Sequence, residues 1–284
     1  HFLDMNPTAG CIYFESESAL TSDMLKDRGI DTTRVYHMPV ATVEEFRHQA
    51  VKILEKHGEV DESKRPPLMM CLDSLGMLST IKEMKDVSED NQKRDMTKAQ
   101  VIKGTFRVLT LMLAKVNVPF IVTNHVYDQI GTMYPTKVMG GGSAMQYAAS
   151  SIVFLSKRKE KDGTEVIGNI IHCKMQKSRM TKENKMVDVL LTYRHGLSKY
   201  YGLLEMAEAA GLFKKVSTRY ELPDGSKLFG KQILKNPEKH FTEDILNQID
   251  NYTKVEYTYG RTGDDEIGGE EPEGDDTITD KESL

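Results

Sequence analysis

The sequence predicts an α/β fold with a mainly parallel sheet and helices on both faces. Three observations predict it. Short uninterrupted apolar runs occur at 11–14, 68–72 and 120–123, as expected of strands covered on both sides. Amphipathic stretches with helical spacing lie between them. Strand and helix alternate, which in one sheet gives right-handed crossovers and parallel strands. The 284 residues suffice for one large domain or two ordinary ones, with 39% hydrophobic and 29% charged residues. No apolar run approaches the roughly 20 residues of a membrane helix.

The first run is Cys11-Ile12-Tyr13-Phe14. A capping box, Thr42-Val43-Glu44-Glu45, then opens a helix whose stripe is Val43, Phe46, Ala50, Ile53 and Leu54. Pro66-Pro67 marks a sharp entry to the second run, Leu68-Met69-Met70-Cys71-Leu72. Residues 80–96 carry four bases and five acids without clean periodicity and read as a long loop. Val101, Thr105, Val108, Leu109, Met112 and Leu113 form a second helical stripe, which leads to the third run, Phe120-Ile121-Val122-Thr123. Residues 127–142 read as another long loop, ending in Gly140-Gly141-Gly142, where backbone amides can approach a phosphate or act as a hinge.

Further strands are expected at 151–155, 169–173 and 186–192. A helix is expected at 201–210 with Gly211 as its stop. A hairpin over 220–229 turns at Asp224-Gly225, and a last helix covers 241–249. From 260 onward Gly, Asp and Glu dominate, which predicts a disordered acidic tail. The expected organisation is a core at 1–215, a hairpin-helix extension at 216–259 and the tail at 260–284.

The net charge of −5 divides unevenly: 261–284 holds ten acids and two bases, 1–260 holds 36 bases and 33 acids. The body is too weakly basic for charge alone to announce nucleic acid. Three cysteines, Cys11, Cys71 and Cys173, each within an apolar run, predict buried thiols in a reducing cytosol. The first residue is His1 and no secretory signal follows, so the chain is expected to lack its true beginning.

In parallel α/β sheets ligands bind at the carboxyl ends of strands. The first strand ends in Glu15-Ser16-Glu17, where a carboxylate can take a proton from an attacking water. The second ends in Asp73-Ser74, an apolar run followed by Asp as in a Walker B element, where the carboxylate holds Mg²⁺. The third ends in Asn124-His125, whose side chains can donate to a phosphate oxygen. Each also has a plain reading as a solvated or structural strand end. Residues 174–185 carry five bases against Glu183, a solvated edge or a phosphate contact. The nearest approach to G-x-x-x-x-G-K-[ST] is Gly225 to Gln232; Gln232 replaces the metal-binding hydroxyl, and the glycines fall in and after a hairpin.

In order and spacing these segments resemble the ATPase core of RecA-type recombinases, above all the UvsX-type phage branch, over about 1–215. The resemblance implies that Glu17 activates water and that Asp73 holds the metal. It places Ser74, Asn124 and His125 at the nucleotide, with His125 sensing the γ-phosphate. Lys177 and Arg179 match the basic pair that reaches a neighbouring subunit's ATP. Residues 80–96 fall at the first DNA-binding loop, with Lys82, Lys85, Lys93 and Arg94. Residues 127–139 fall at the second, with Tyr127, Tyr134 and Lys137, and 137–142 resemble the phage form of that loop's end, with Gly140, Gly141 and Gly142. Two departures stand out. The family's P-loop would lie upstream of His1, and Met24 stands where many relatives carry an aromatic that packs on adenine.

The resemblance therefore implies an ATP- and Mg²⁺-dependent recombinase in the cytoplasm, or the host cytoplasm if phage-encoded. It would form a helical homo-oligomeric filament on single-stranded DNA and pair it with duplex DNA, with mediator and single-strand-binding proteins as further partners. The rival readings are a non-catalytic accessory protein of the same fold and a hexameric helicase.

Overall fold

The computed structural model describes residues 1–89, 97–128, 137–142 and 144–258. Lys93, Arg94, Tyr134 and the expected tail at 260–284 lie outside the described residues. The chain divides into two compact units, 1–150 and 151–284.

The first unit opens with a short helix, α1 (Phe2–Met5), and β1 (Gly10–Glu15). There follow α2 (Ser22–Lys26), β2 (Val35–Pro39), α3 (Val43–Glu59) and β3 (Leu68–Asp73). Next come α4 (Ile81–Ser88), α5 (Lys98–Lys115) and β4 (Phe120–Val122). A short hairpin, β5 (Val126–Asp128) with β6 (Lys137–Met139), and α6 (Ala144–Ala148) complete it. The sheet order is β2-β1-β3-β4, all parallel.

Register aligns the strand ends: Glu15 lies opposite Asp73, and Leu72 opposite Val122. Even-numbered residues Ile12, Phe14, Met70 and Leu72 bury against Val43, Phe46, Ala50 and Leu54 of α3 and Ile102, Phe106 and Leu109 of α5. Both long crossover helices therefore share one face. At its centre Phe14 meets Phe46 edge-on at 5.0 Å, and Phe46 stacks on Phe120 at 5.9 Å, geometries that add to plain burial. Odd-numbered Tyr13, Cys71, Asp73 and Ile121 point to the other face, where Ile121 is 55% exposed among the described residues.

Several expectations change in detail. In α5 the buried residues are Ile102, Thr105, Phe106 and Leu109, while Val108 is exposed; the stripe is rotated by part of a turn. At the start of α3 Thr42 accepts from the Glu45 amide, but Glu45 accepts from the amide of Ala41 rather than that of Thr42. The stretch from 80 is not a loop at its start. Thr80 and Glu83 form a full capping box, and α4 follows. Within the second expected loop, 127–128 and 137–139 belong to the antiparallel pair β5 and β6. All three thiols are free, but only Cys11 is fully buried, with Cys71 and Cys173 half-buried.

The second unit begins with long strands β7 (Ser151–Asp162) and β8 (Glu165–Ser178), then β9 (Met186–Thr192) and β10 (Gly196–Leu197). Their order is β10-β9-β8-β7, antiparallel throughout. There follow α7 (Leu203–Ala209) and a small antiparallel sheet of β11 (Lys214–Val216), β12 (Arg219–Glu221) and β13 (Lys227–Phe229). α8 (Gly230–Lys235), α9 (Pro237–His240) and α10 (Glu243–Tyr257) close the described chain. A second core joins Leu204, Ala207 and Phe213 to Tyr220, Leu222, Ile233, Phe241, Ile245 and Ile249.

The expected hairpin at Asp224-Gly225 forms. Asp224 accepts from the Ser226 amide, and Gly225 takes φ +80°, a conformation glycine adopts without strain. Gly230 is the first residue of α8, and a Cβ there would meet Leu204 Cδ2 at 2.9 Å. Close packing accounts for this glycine without a phosphate.

Candidate active site

The turn after β1 is organised by its own last residue. Glu15 is 4% exposed, and its Oε1 accepts from the amides of Glu17 at 3.0 Å and Ala19 at 2.8 Å. A buried carboxylate needs such donors. Nε2 of His37, from the neighbouring strand, lies 3.8 Å from its Oε2. With the chain wrapped around this group, Glu17 is thrown out over the strand ends.

There Glu17 meets the ends of β3 and β4. Ser74 donates its hydroxyl to Glu17 Oε1 at 2.7 Å. His125 Nε2 lies 3.6 Å from the same oxygen and 3.4 Å from Ser74 Oγ. Ser74 is 2% exposed, whereas Glu17 and His125 keep partial access to solvent. Three side chains separated by more than fifty residues in sequence thus converge on one point.

Asp73, the residue before Ser74, is held by two donors of its own. Tyr13 donates to its Oδ2 at 2.7 Å, and Thr123 donates to its Oδ1 at 2.5 Å. Burial, then the hydrogen bond and charge of Asp73, push the Tyr13 phenol well above its ordinary range. Tyr13 therefore stays a donor to Asp73.

The β4 end is tied to the triple glycine. Asn124 Nδ2 donates to Gly140 O at 2.8 Å, and the Gly140 amide donates to His125 O at 3.0 Å. His125's own amide donates to Asn124 Oδ1 at 2.9 Å. Gly141 and Gly142 both have positive φ, +83° and +78°, which explains glycine at these two positions. Gly76 gives His125 room: a Cβ there would lie 2.7 Å from the imidazole Cδ2.

The other expected site residues fall elsewhere. Lys82 and Lys85 ride on α4, not on a loop. Tyr127 is exposed in β5, opposite Val138, and Lys137 lies opposite Asp128. Lys177 and Arg179 belong to the second unit and flank Ser178 at the end of β8. The buried Ser178 hydroxyl accepts from the amides of Met180 and Thr181, and its own amide donates to Glu183. That tight turn fixes the backbone between the two basic residues.

The donor set suits a hard divalent cation approached through water. Among the described residues no group of three or more His, Cys, Asp or Glu could cage a metal. Mg²⁺ commonly takes one or two carboxylates plus water and phosphate oxygens, and Asp73, with lone pairs left beyond its two neutral donors, fits that role.

Four contributors escaped the sequence reading as functional residues: Tyr13, Ser16, Thr123 and Gly76. The available signal was a hydroxyl at a strand position otherwise filled by apolar residues, or a glycine just past a strand end.

Comparisons with known proteins bear on the same region. The RecA N-terminal domain model matches residues 5–198, a span that contains every candidate site residue above. The "Recombination and repair protein" of Enterobacteria phage T4 is 32% identical over 216 residues, covering 75% of this chain and 53% of that protein. "Protein RecA" of Chloroherpeton thalassium is 26% identical over 242 residues, covering 84% and 64%. "Protein RecA" of Streptomyces rimosus is 24% identical over 253 residues, covering 87% and 64%. The chain thus spans between about half and two thirds of the length of these relatives. No described helix is long and apolar enough to cross a membrane. With the family model matched over most of its length, the chain belongs to the RecA family of recombination and repair proteins.

Proposed function

We propose that the first unit carries the hydrolytic half of an ATP site in a DNA recombinase. The observation that carries this reading is the meeting of Glu17, Ser74 and His125 at the ends of three parallel strands. In its ionised form Glu17 can accept a proton from a water placed in line with the γ-phosphate. Ser74 fixes the carboxylate through its hydroxyl. His125 stands where it can donate to a γ-phosphate oxygen, and its backbone carries any shift to Gly140. Asp73 would hold Mg²⁺, which when bound offsets the charge that builds on the phosphates.

Lys177 and Arg179 would serve a neighbouring subunit's nucleotide, in the manner of arginine fingers. Lys82, Lys85, Lys93, Arg94, Tyr127, Tyr134, Lys137 and the triple glycine would face DNA. Many weak contacts repeated along a polymer give firm binding without a strongly basic body. The work is strand pairing and exchange on a filament in the cytoplasm. The similarity to the T4 recombination and repair protein and to RecA proteins supports it.

The test is Glu17→Gln in the intact protein. DNA-stimulated ATP hydrolysis is expected to fall by at least about 100-fold, with nucleotide binding retained. Undiminished turnover removes Glu17 from the mechanism.

A further inference from the structure

We propose that Ser16 is a positioning residue for Glu17, acting through Ser74. The proposal rests on the reading of Glu17 given above.

Ser16 is the first residue beyond β1. Its amide extends the ladder, donating to Asp73 O at 2.9 Å. Its hydroxyl then engages one residue twice. It accepts from the Ser74 amide at 2.8 Å and donates to the Ser74 carbonyl at 2.8 Å. One hydroxyl thus holds both main-chain polar groups of Ser74, a residue so buried that water is a poor substitute.

With its main chain held, the Ser74 side chain starts from a fixed Cα–Cβ bond, and its hydroxyl meets Glu17 at 2.7 Å. Glu17 is partly exposed, and an unrestrained glutamate there would sample many rotamers. Proton abstraction needs the carboxylate within hydrogen-bond reach of its water, and a modest misplacement lowers the rate steeply. The order of control runs from Ser16 to the Ser74 backbone, to the Ser74 hydroxyl, to Glu17. The aromatic core around Phe14, Phe46 and Phe120 does not use the Ser16 hydroxyl.

Alanine at 16 removes both bonds to Ser74 and keeps the backbone ladder. Threonine keeps the hydroxyl, and the partial exposure of position 16 leaves room for its methyl. The experiment compares wild type, Ser16→Ala, Ser16→Thr, Ser74→Ala and the double alanine variant. ATP turnover is measured in the intact protein, and amide exchange by NMR in the present 284-residue chain.

In Ser16→Ala we expect kcat to fall about tenfold, with KM for ATP unchanged. Ser16→Thr should recover most of it. The double variant should be no slower than Ser74→Ala, because both changes cut one chain of control. The Ser74 amide should exchange about tenfold faster in Ser16→Ala, while the amides of Phe14 and Leu72 keep their rates. Losses that multiply in the double variant, failure of threonine to rescue, or loss of protection throughout β1 and β3 would each overturn the positioning role. Full turnover in Ser16→Ala beside abolished turnover in Glu17→Gln overturns this role alone. Full turnover in Glu17→Gln overturns the reading of the site with it.

Discussion

Tyr13 stands on an apolar strand and spends its hydroxyl on Asp73. Burial and that carboxylate hold its proton on, so its folded pKa lies above the unfolded value. The sign follows from linkage. A raised pKa means that the folded state favours the protonated phenol. The stabilisation is complete below the unfolded pKa of about 10 and drains away as pH rises above it. Tyr13→Phe should therefore cost about 1.5–3 kcal/mol near neutral pH, the net worth of a hydrogen bond to a charged group. The gap between the two proteins should narrow as pH climbs past about 10. Urea melts across that range check it; a gap that stays constant or widens would contradict the assignment. Gly76 is the second instructive residue. Alanine there would press on His125 and, at 3.2 Å, on Asn124 Oδ1. We expect Gly76→Ala to shift the NMR signals of the His125 ring and the Gly140 amide together, since Asn124 and His125 both hold Gly140. Asp73 and His125 were legible because they stand at the ends of apolar runs, where a polar residue stands out; Glu17 was set apart from Glu15 only by the family resemblance. Tyr13, Ser16, Thr123 and Gly76 were not legible, because their partners become visible only once the register sets Glu15 against Asp73 and Leu72 against Val122.

α4 shows why an element can hide. Its apolar residues Ile81, Met84 and Val87 are 59%, 52% and 81% exposed, so no buried stripe organises the helix. What organises it is its first turn. Thr80 is buried and trades hydrogen bonds with Glu83, Glu44 accepts from the Ile81 amide, and Lys98 lies 3.6 Å from Glu83. The sequence carries the capping signature, Thr80-Ile81-Lys82-Glu83, within a run of mixed charge that masks it. Thr80→Ala should cost about 1 kcal/mol, as loss of a cap does, and should raise amide exchange in α4 first. Thermal melts and exchange rates check both; unaltered exchange in α4 would contradict the cap's role. Two other elements escaped for related reasons. β2 is short, lies at the sheet edge and mixes His37 and Pro39 among apolar residues. The strands β7 to β9 were visible as apolar runs, but an apolar run does not encode direction, and the antiparallel order follows from short turns such as the one between Asp162 and Glu165. That connection is too short for a parallel crossover.

At the scale of the molecule, two cores share no residue. The first is sandwiched between the parallel sheet and the pair α3 and α5; the second gathers α7, the small sheet, α8 and α10. The expected boundary near 215 falls inside the second cluster, between Phe213 and Tyr220. Composition changes little there, so the sequence offered the hairpin as the nearest mark of a division. Separate cores predict separable melting. Leu54 and Phe213 are each about 1% exposed, so truncation of either to alanine leaves a cavity and costs about 3–5 kcal/mol. Because each side chain belongs to one cluster, Leu54→Ala should lower one calorimetric transition and Phe213→Ala another, with the sum of the shifts reproduced in the double variant. The relevant protein is the chain itself, scanned without nucleotide or DNA, since a ligand that engages one unit would move that unit's transition by mass action. A single transition displaced equally by both substitutions would mean that the two cores fold as one cooperative body. The strand ends that bear Glu17, Ser74 and His125 would then be stabilised by residues far along the chain, and local changes such as Thr80→Ala would be felt throughout.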